Sequence, residues 1–411
     1  QNLDVREIGK NLGVECVLEG SVRKAGNRVR ITAQLVDTEK GFHIFSETYD
    51  RTLEDIFDVQ DEIARTITGQ LLRKLGLAPN GDRMVNQSTE NMEAYQDFLK
   101  GNYYWNRYSP EAAKKAIAFY HRATAADPGF AKAWAYLSYC YSYLGATGYM
   151  PGKEVFPLAL EAGAKALNLD DQISEAHCAM GAVELFYHWD IPAAERSLMR
   201  ARATGAQTLP YAMLYALLLR AMGRFEESLE RLEVAVKIDP VSVLSNSYLA
   251  EGYMVNRQYQ KALRQADKVL DLFPSDVYAR KIKAWALLEL EDYEGALQVL
   301  EEANPAVPAY LNEVYALQGV AHARSGQQKE ALQCAESLKK LEPEAGAVIH
   351  ESLALVYGEL GEMNSAFHHF FQAVENRVGG LIFTIHHPGW EKVRKEERYQ
   401  DFLKMIKVYP D

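Results

Sequence analysis

The chain lacks most of what would mark a catalyst, a membrane span or a nucleic-acid binder. Its four cysteines, Cys16, Cys140, Cys178 and Cys334, stand far apart with no paired spacing. That fits reduced thiols in a cytoplasmic setting and argues against a disulfide or zinc framework. No apolar run approaches the roughly 20 residues that cross a bilayer, and Gln1 is not followed by a charged-then-apolar leader, so neither a membrane segment nor a signal peptide is visible. There is no Gly-rich phosphate loop ending in Lys-Ser or Lys-Thr, no His-Glu-x-x-His and no Gly-x-Ser-x-Gly. The chemistries those motifs carry are therefore not expected. Positive charge is in deficit as well: a formal net charge of −11 repels a phosphate backbone, so no nucleic-acid partner is expected. The histidine pairs His368-His369 and His386-His387 do not make a metal site on sequence grounds. Neighbours on a helix point about 100° apart, leaving one ligand per pair where zinc takes three or four. The expectation is a chain that is not an enzyme and has no cofactor and no metal.

What is present is a repeat. Pro240, Pro274 and Pro308 recur every 34 residues, and each closes the same pattern of bulky and small residues. Leu249, Ala250 and Tyr253 followed by Ala262, Ala266 and Val269 form one unit. Ala284, Leu287, Ala296, Leu300 and Ala303 form the next, although Lys283 stands where a bulky apolar residue belongs. Upstream, Tyr215, Ala216, Leu219, Ser228, Leu232 and Ala235 keep the frame. Small residues at these offsets let two antiparallel helices cross closely, and each pair buries its apolar face only against the next. The period and offsets resemble the tetratricopeptide repeat. Eight pairs fit between about Asp97 and Gly380. In the second pair Ala159, Gly163 and Ala166 arrive late, so an insertion between helices is expected over Gly145 to Phe156.

The first eighty residues follow a period of two instead. Val14 to Lys24 and Asn27 to Asp37 read as strands, with Val29, Ile31, Ala33 and Leu35 on one face, and Phe42 to Asp50 reads as a third. A short helix over Asp4 to Leu12 precedes them. Thr52 and Asp55 open a helix whose stripe is Ile56, Val59, Ile63, Ile67, Leu71 and Leu75. A domain of this size buries only a modest core, so further strands in front of it are expected. The fold class is mainly α: a tetratricopeptide α-solenoid of about eight helix pairs preceded by a small, truncated α/β domain. The expected boundaries are 1–77 for the α/β domain, 78–90 for a polar linker, 91–380 for the array and 381–411 for a segment capping the last repeat.

Val17-Leu18-Glu19-Gly20-Ser21-Val22-Arg23, Val29-Arg30-Ile31-Thr32-Ala33-Gln34-Leu35, Tyr49-Asp50-Arg51 and Gln60-Asp61-Glu62-Ile63-Ala64 closely resemble a TolB-type amino-terminal α/β domain. In bacterial regulatory proteins such a domain joins an effector to a tetratricopeptide array. The effectors are class III adenylate or guanylate cyclases, winged-helix domains or serine/threonine kinases. The resemblance extends to Tyr187, Trp189 and Asp190 and to Arg398-Tyr399-Gln400-Asp401-Phe402, and it implies that these residues are the sensing and docking half of a signalling protein. The tail departs from the family at His386-His387-Pro388, where an acidic residue often precedes the proline.

The candidate site is the concave wall of the array. First-helix positions pointing away from both the paired helix and the next repeat are Trp105, Tyr108, Tyr139, Tyr143, Phe186, Met213, Met254 and Trp285. Large rings and thioethers give contact area at low entropic cost, so this wall suits a protein or peptide partner with apolar anchors, a flanking segment of the same chain, or a sugar-like ligand. The same rings could instead pack between neighbouring helices. Three function classes stay open: an interaction scaffold that reports partner occupancy to an upstream effector domain of the same polypeptide, a small-molecule-sensing repeat domain, and the regulatory half of a cyclase or kinase. A homodimer is compatible with each.

Overall fold

The computed structural model describes residues 4–52, 56–74, 88–107, 109–205, 208–302 and 311–405, and the chain divides into two compact units, Gln1–Met92 and Glu93–Asp411. In the first unit, helix α1 (Val5–Leu12) starts where the Asp4 carboxylate accepts from the Arg6 amide at 3.0 Å and stops at Gly13 in the left-handed region. Strands β1 (Cys16–Ala25), β2 (Arg28–Asp37) and β3 (His43–Thr52) form an antiparallel sheet in that order. The period of two places Ala33, Leu35, Phe45 and Tyr49 on one face, where Val59 of α2 (Ile56–Lys74) meets them. Arg30 pairs with Asp50 at 2.8 Å on the other face. The outer edge of β1 has no strand against it among the described residues, and Leu18 and Val22 on that strand are exposed. Asp55, Leu75 and residues 78–87 of the expected linker lie outside the described residues.

The second unit is the expected α-solenoid of eight helix pairs. They are α3 (Met92–Trp105) with α4 (Pro110–Ala126), α5 (Ala131–Ala146) with α6 (Gly152–Leu169), α7 (Ser174–Val183) with α8 (Ile191–Ala203), and α9 (Leu209–Ala221) with α10 (Phe225–Ile238). Next come α11 (Val243–Val255) with α12 (Tyr259–Leu272), α13 (Val277–Glu289) with α14 (Tyr293–Glu301), and α15 (Leu311–Arg324) with α16 (Gln328–Lys340). A short α17 (Glu342–Ala345) leads to α18 (Val348–Leu360) and α19 (Met363–Glu375). Beyond them run two 3₁₀ turns, Gly379–Phe383 and Pro388–Trp390, then α20 (Glu391–Arg394) and α21 (Tyr399–Met405).

The 34-residue spacing reappears in the packing. Ala216, Ala250 and Ala284 of the first helices are fully buried, and Ser228, Ala262 and Ala296 of the paired helices are buried as well. The crossing is close enough for the Ser228 hydroxyl to donate to the Ala216 carbonyl at 2.7 Å. The turn inside each pair needs one left-handed residue, and Gly223, Arg257 and Glu291 take it in three successive pairs. Side-chain caps start many helices: Ser109, Asp190, Ser242, Asp276 and Asp292 each accept an amide of the first turn, satisfying donors the helix itself cannot. Lys283 occupies its apolar position by sending its ammonium to Asp267 at 2.8 Å, which keeps the charge at the surface while the stem packs.

One expectation needs correction. The insertion expected over Gly145 to Phe156 is mostly helix. α5 runs to Ala146 and α6 starts at Gly152, so the late alanines reflect two lengthened helices, of 16 and 18 residues, with a short turn between. That turn reaches the far end of the array. A Cβ on Gly148 would press on the Val348 side chain at 2.6 Å, and Gly152 lies against the carbonyl of Arg377. The solenoid therefore bends until its second pair touches its eighth.

Candidate functional site

The first helices of successive pairs form the inner wall, and its middle is charged. Arg220 of α9 meets Glu251 of α11 at 2.8 Å, and the Tyr278 hydroxyl of α13 donates to the same carboxylate at 2.6 Å. Lys281, one turn further along α13, donates to Glu313 of α15 at 3.0 Å. Arg324, at the end of α15, bridges Glu289 of α13 and Glu359 of α18 at 2.9 and 2.7 Å. Lys392 completes the row by pairing with Glu359 at 2.8 Å. Burial opposes charge on Glu251, but Arg220, Lys281 and the Tyr278 hydroxyl outweigh it and hold the carboxyl below its ordinary range. Burial likewise opposes charge on Lys281, and Glu313 and Glu251 overcome it. Glu351 of α18 is the unmatched acid. Burial pushes it up to about 7, with Glu313 adding to the rise and Lys281 opposing it.

A segment of the same chain lies on this wall. Gly379 sits against Ala146 and the Phe186 carbonyl, and Gly380 against the Glu351 carboxylate. The Phe383 ring meets the Phe186 ring edge-on at 5.9 Å between centroids and stacks under the Arg220 guanidinium at 4.5 Å. His386 stands 5.0 Å from Phe225, and His387 stands 4.7 Å from Trp285. Burial, helped by Arg220, pushes His387 down to about 3, so it sits on the indole as a neutral ring. Gly389 touches the far edge of that indole. Beyond it the chain covers the last pair, with Trp390, Tyr399 and Phe402 packed around Phe370. Arg377 ties this end back to the third pair, donating to the Tyr187 carbonyl at 3.2 Å and lying over Trp189. The Tyr187 carbonyl belongs to a π-helical turn, Glu184–His188, that continues α7. Such a turn adds a residue to the helix and re-aims its side chains.

The structure divides the eight sequence candidates into groups. Trp105, Tyr139 and Tyr143 form one aromatic cluster, with Trp105 centroids 6.5 and 5.7 Å from the two tyrosines. Phe186 and Trp285 lie under the Phe383 and His387 rings. Met213 packs with Ala235, Leu244 and Tyr248 between helices, and Met254 is buried in the main core. Tyr108 lies outside the described residues. Of the neighbouring tyrosines, Tyr104 stacks on Phe119 and Tyr103 is exposed beside Arg107. His369 approaches His350, not His386 or His387, and among the described residues no group of three or more His, Cys, Asp or Glu could hold a metal. No described helix is long and apolar enough to cross a membrane.

The charged row was missed at the sequence level. A signal for part of it existed: Glu289, Arg324 and Glu359 recur 35 residues apart, acid, base, acid, at the end of three successive first helices. An apolar pattern search skips such positions.

Residues 249–310 match the family model described as tetratricopeptide repeat. A Rhizobium meliloti (strain 1021) protein named "Putative adenylate cyclase 3" is 42% identical over 135 residues, a third of this chain (33%) and 23% of that relative. The chain thus spans less than a quarter of the curated relative it matches. Among solved structures, the human IFIT1 dimer with PPP-AAAA aligns at 16% identity and TM-score 0.50 over 76% of this chain and 78% of that one. The APC/C hetero-tetramer Cut9-Hcn1 aligns at 15% identity and TM-score 0.50 over 71% and 55%. At such identity the likeness is one of fold.

Proposed function

We propose that this chain is a non-catalytic interaction scaffold, the docking half of a bacterial signalling regulator that works in the cytoplasm. Tetratricopeptide arrays serve as interaction scaffolds because stacked pairs expose one long curved wall, and that wall is a general place for an extended segment to bind. The observation that carries the reading is the wall itself, where aromatic rings flank a charged row and a turn-rich stretch of the same chain already lies across them. The Rhizobium relative supports a nucleotide cyclase as the effector this half serves. On this reading residues 1–77 are a TolB-type module, and the wall around Phe186 and Trp285 is where occupancy is sensed.

The test joins the chain to a nucleotide cyclase domain of the kind the relative's name describes. The chain alone should form no cyclic nucleotide from ATP or GTP. Joined to the cyclase domain, it should change the rate of cyclic AMP formation, and Trp285→Phe should alter that change while preserving the helical circular dichroism. Equal rates with and without the chain would remove the regulatory reading. A small metabolite that alone raised the melting temperature would favour a ligand-sensing array instead, since only a ligand of the folded state does so.

A further inference from the structure

The stretch from Phe383 to Gly389 differs from the tail that follows it. Its backbone hydrogen bonds are local: the Thr384 amide donates to Leu381, the His386 and His387 amides to Phe383, and the Trp390 amide to His387. Arg394, from the same tail, donates to the carbonyls of Thr384 and His387 at 3.1 and 2.6 Å. The main-chain hydrogen bonds of the stretch are thus made within it or with Arg394 of the tail, and among the described residues only the His386 ring bonds the backbone of the wall, at Ala221. Lifting it off would therefore leave few backbone groups of the wall stranded. Phe383, Ile385, His386 and His387 are only partly buried, while Thr384, Pro388 and Gly389 between and after them are buried, as are Leu381, Ile382 and Trp390 on either side.

The wall beneath is similarly self-sufficient. Glu251 pairs with Arg220 and Tyr278, Lys281 with Glu313, and Arg324 with Glu289 and Glu359, none of them through a residue of the stretch. Three rings make the specific contacts: Phe383 on Phe186 and Arg220, His386 on Phe225 and the Ala221 backbone, and His387 on Trp285. Arg220 Nε is buried with no hydrogen-bond partner, so the ring of Phe383 covers a donor that a carbonyl or carboxylate could use.

We propose that Phe383 to Gly389 is a resident pseudo-ligand. The partner of the wall is then a protein segment folded into a similar turn that displaces it, placing an aromatic ring on Phe186, a carbonyl or carboxylate on Arg220 and a second flat ring on Trp285. This rests on the scaffold reading above and names the partner's chemistry. The stretch competes from within the same chain, at the high effective concentration of a tethered ligand, so the free wall is visible only when the stretch is weakened.

A labelled synthetic peptide of residues 379–390, titrated into the full chain by fluorescence anisotropy, tests this. Gly389→Ala drives a methyl into the Trp285 ring, and Phe383→Ala removes the ring on Arg220. Both variants should bind the peptide at least about tenfold more tightly than the unaltered chain, with unchanged helical circular dichroism, and a scrambled peptide should not bind. The proposal is overturned if neither variant binds the peptide, if the unaltered chain binds it equally well, or if both variants lose their helical signal, which would make the stretch part of the core. Those failures leave the cyclase-rate test untouched, so they separate from failure of the scaffold reading.

Discussion

Replacing Glu351 with Gln should stabilise the array, and the gain should depend on pH in a defined way. Glu351 lies beneath Gly380 and beside Lys281 and Glu313, in a row whose other acids each have a cation of their own. Its folded value is raised from 4.5 to about 7, chiefly by burial. Below the unfolded value both states hold the proton and the group costs nothing. As pH rises from there towards 7, the unfolded chain releases the proton while the folded one keeps it, so stability falls. Above 7 both states are ionised and the loss is constant. At about 1.4 kcal/mol for each unit, the penalty reaches at most about 3 kcal/mol. Gln keeps the shape and carries no charge, so Glu351→Gln should match the parent near pH 4.5 and exceed it at pH 8. The difference is expected to be roughly 5 °C in melting temperature for a unit of this size. Thermal melts followed by circular dichroism across that range read both quantities. A gap of the same size at every pH would assign the gain to packing, and no gap at pH 8 would mean that the carboxylate is already well solvated in the folded chain.

Two further substitutions probe the array. Glu291 is exposed and holds a left-handed backbone, φ 63, at the turn position where the fourth pair has Gly223, so Glu291→Gly should raise stability by about 1 kcal/mol. A lower melting temperature would show that the side chain contributes more than the backbone strain costs. Phe402 is fully buried, 4.6 Å from Phe370, and Phe402→Ala should cost about 3–5 kcal/mol. It should also uncover the flank of α19, detectable as larger particles in light scattering; an unchanged melt would deny α21 its capping part.

The array was legible because its signal is local and repeated. Ala216, Ala250 and Ala284 keep one spacing, and a small residue at a helix crossing has one physical meaning wherever it recurs. The sheet was legible for the same reason, since Val29 to Leu35 alternate without a break. The site was less so. Phe186 and Trp285 could be placed on the inner wall from helical phase, but what lies over them comes from residues 100 to 200 positions away, and no periodicity carries that. Met213 shows the limit from the other side: its phase points inward, yet it packs against α10 and α11, because a flexible side chain goes where the gap is. The charged row escaped because a buried Arg or Glu looks like any surface charge until its partner, 31 to 35 residues away, is known.

The contact between Gly148 and Val348 and the bond from Arg377 to Tyr187 change how such an array comes apart. An open stack of hairpins frays from whichever end is weakest, one unit after another. Here the eighth hairpin cannot peel away without also releasing the second and third, so the far terminus is held by neighbours that lie at the beginning of the array, and loosening is pushed towards the middle or made to involve the whole stack at once.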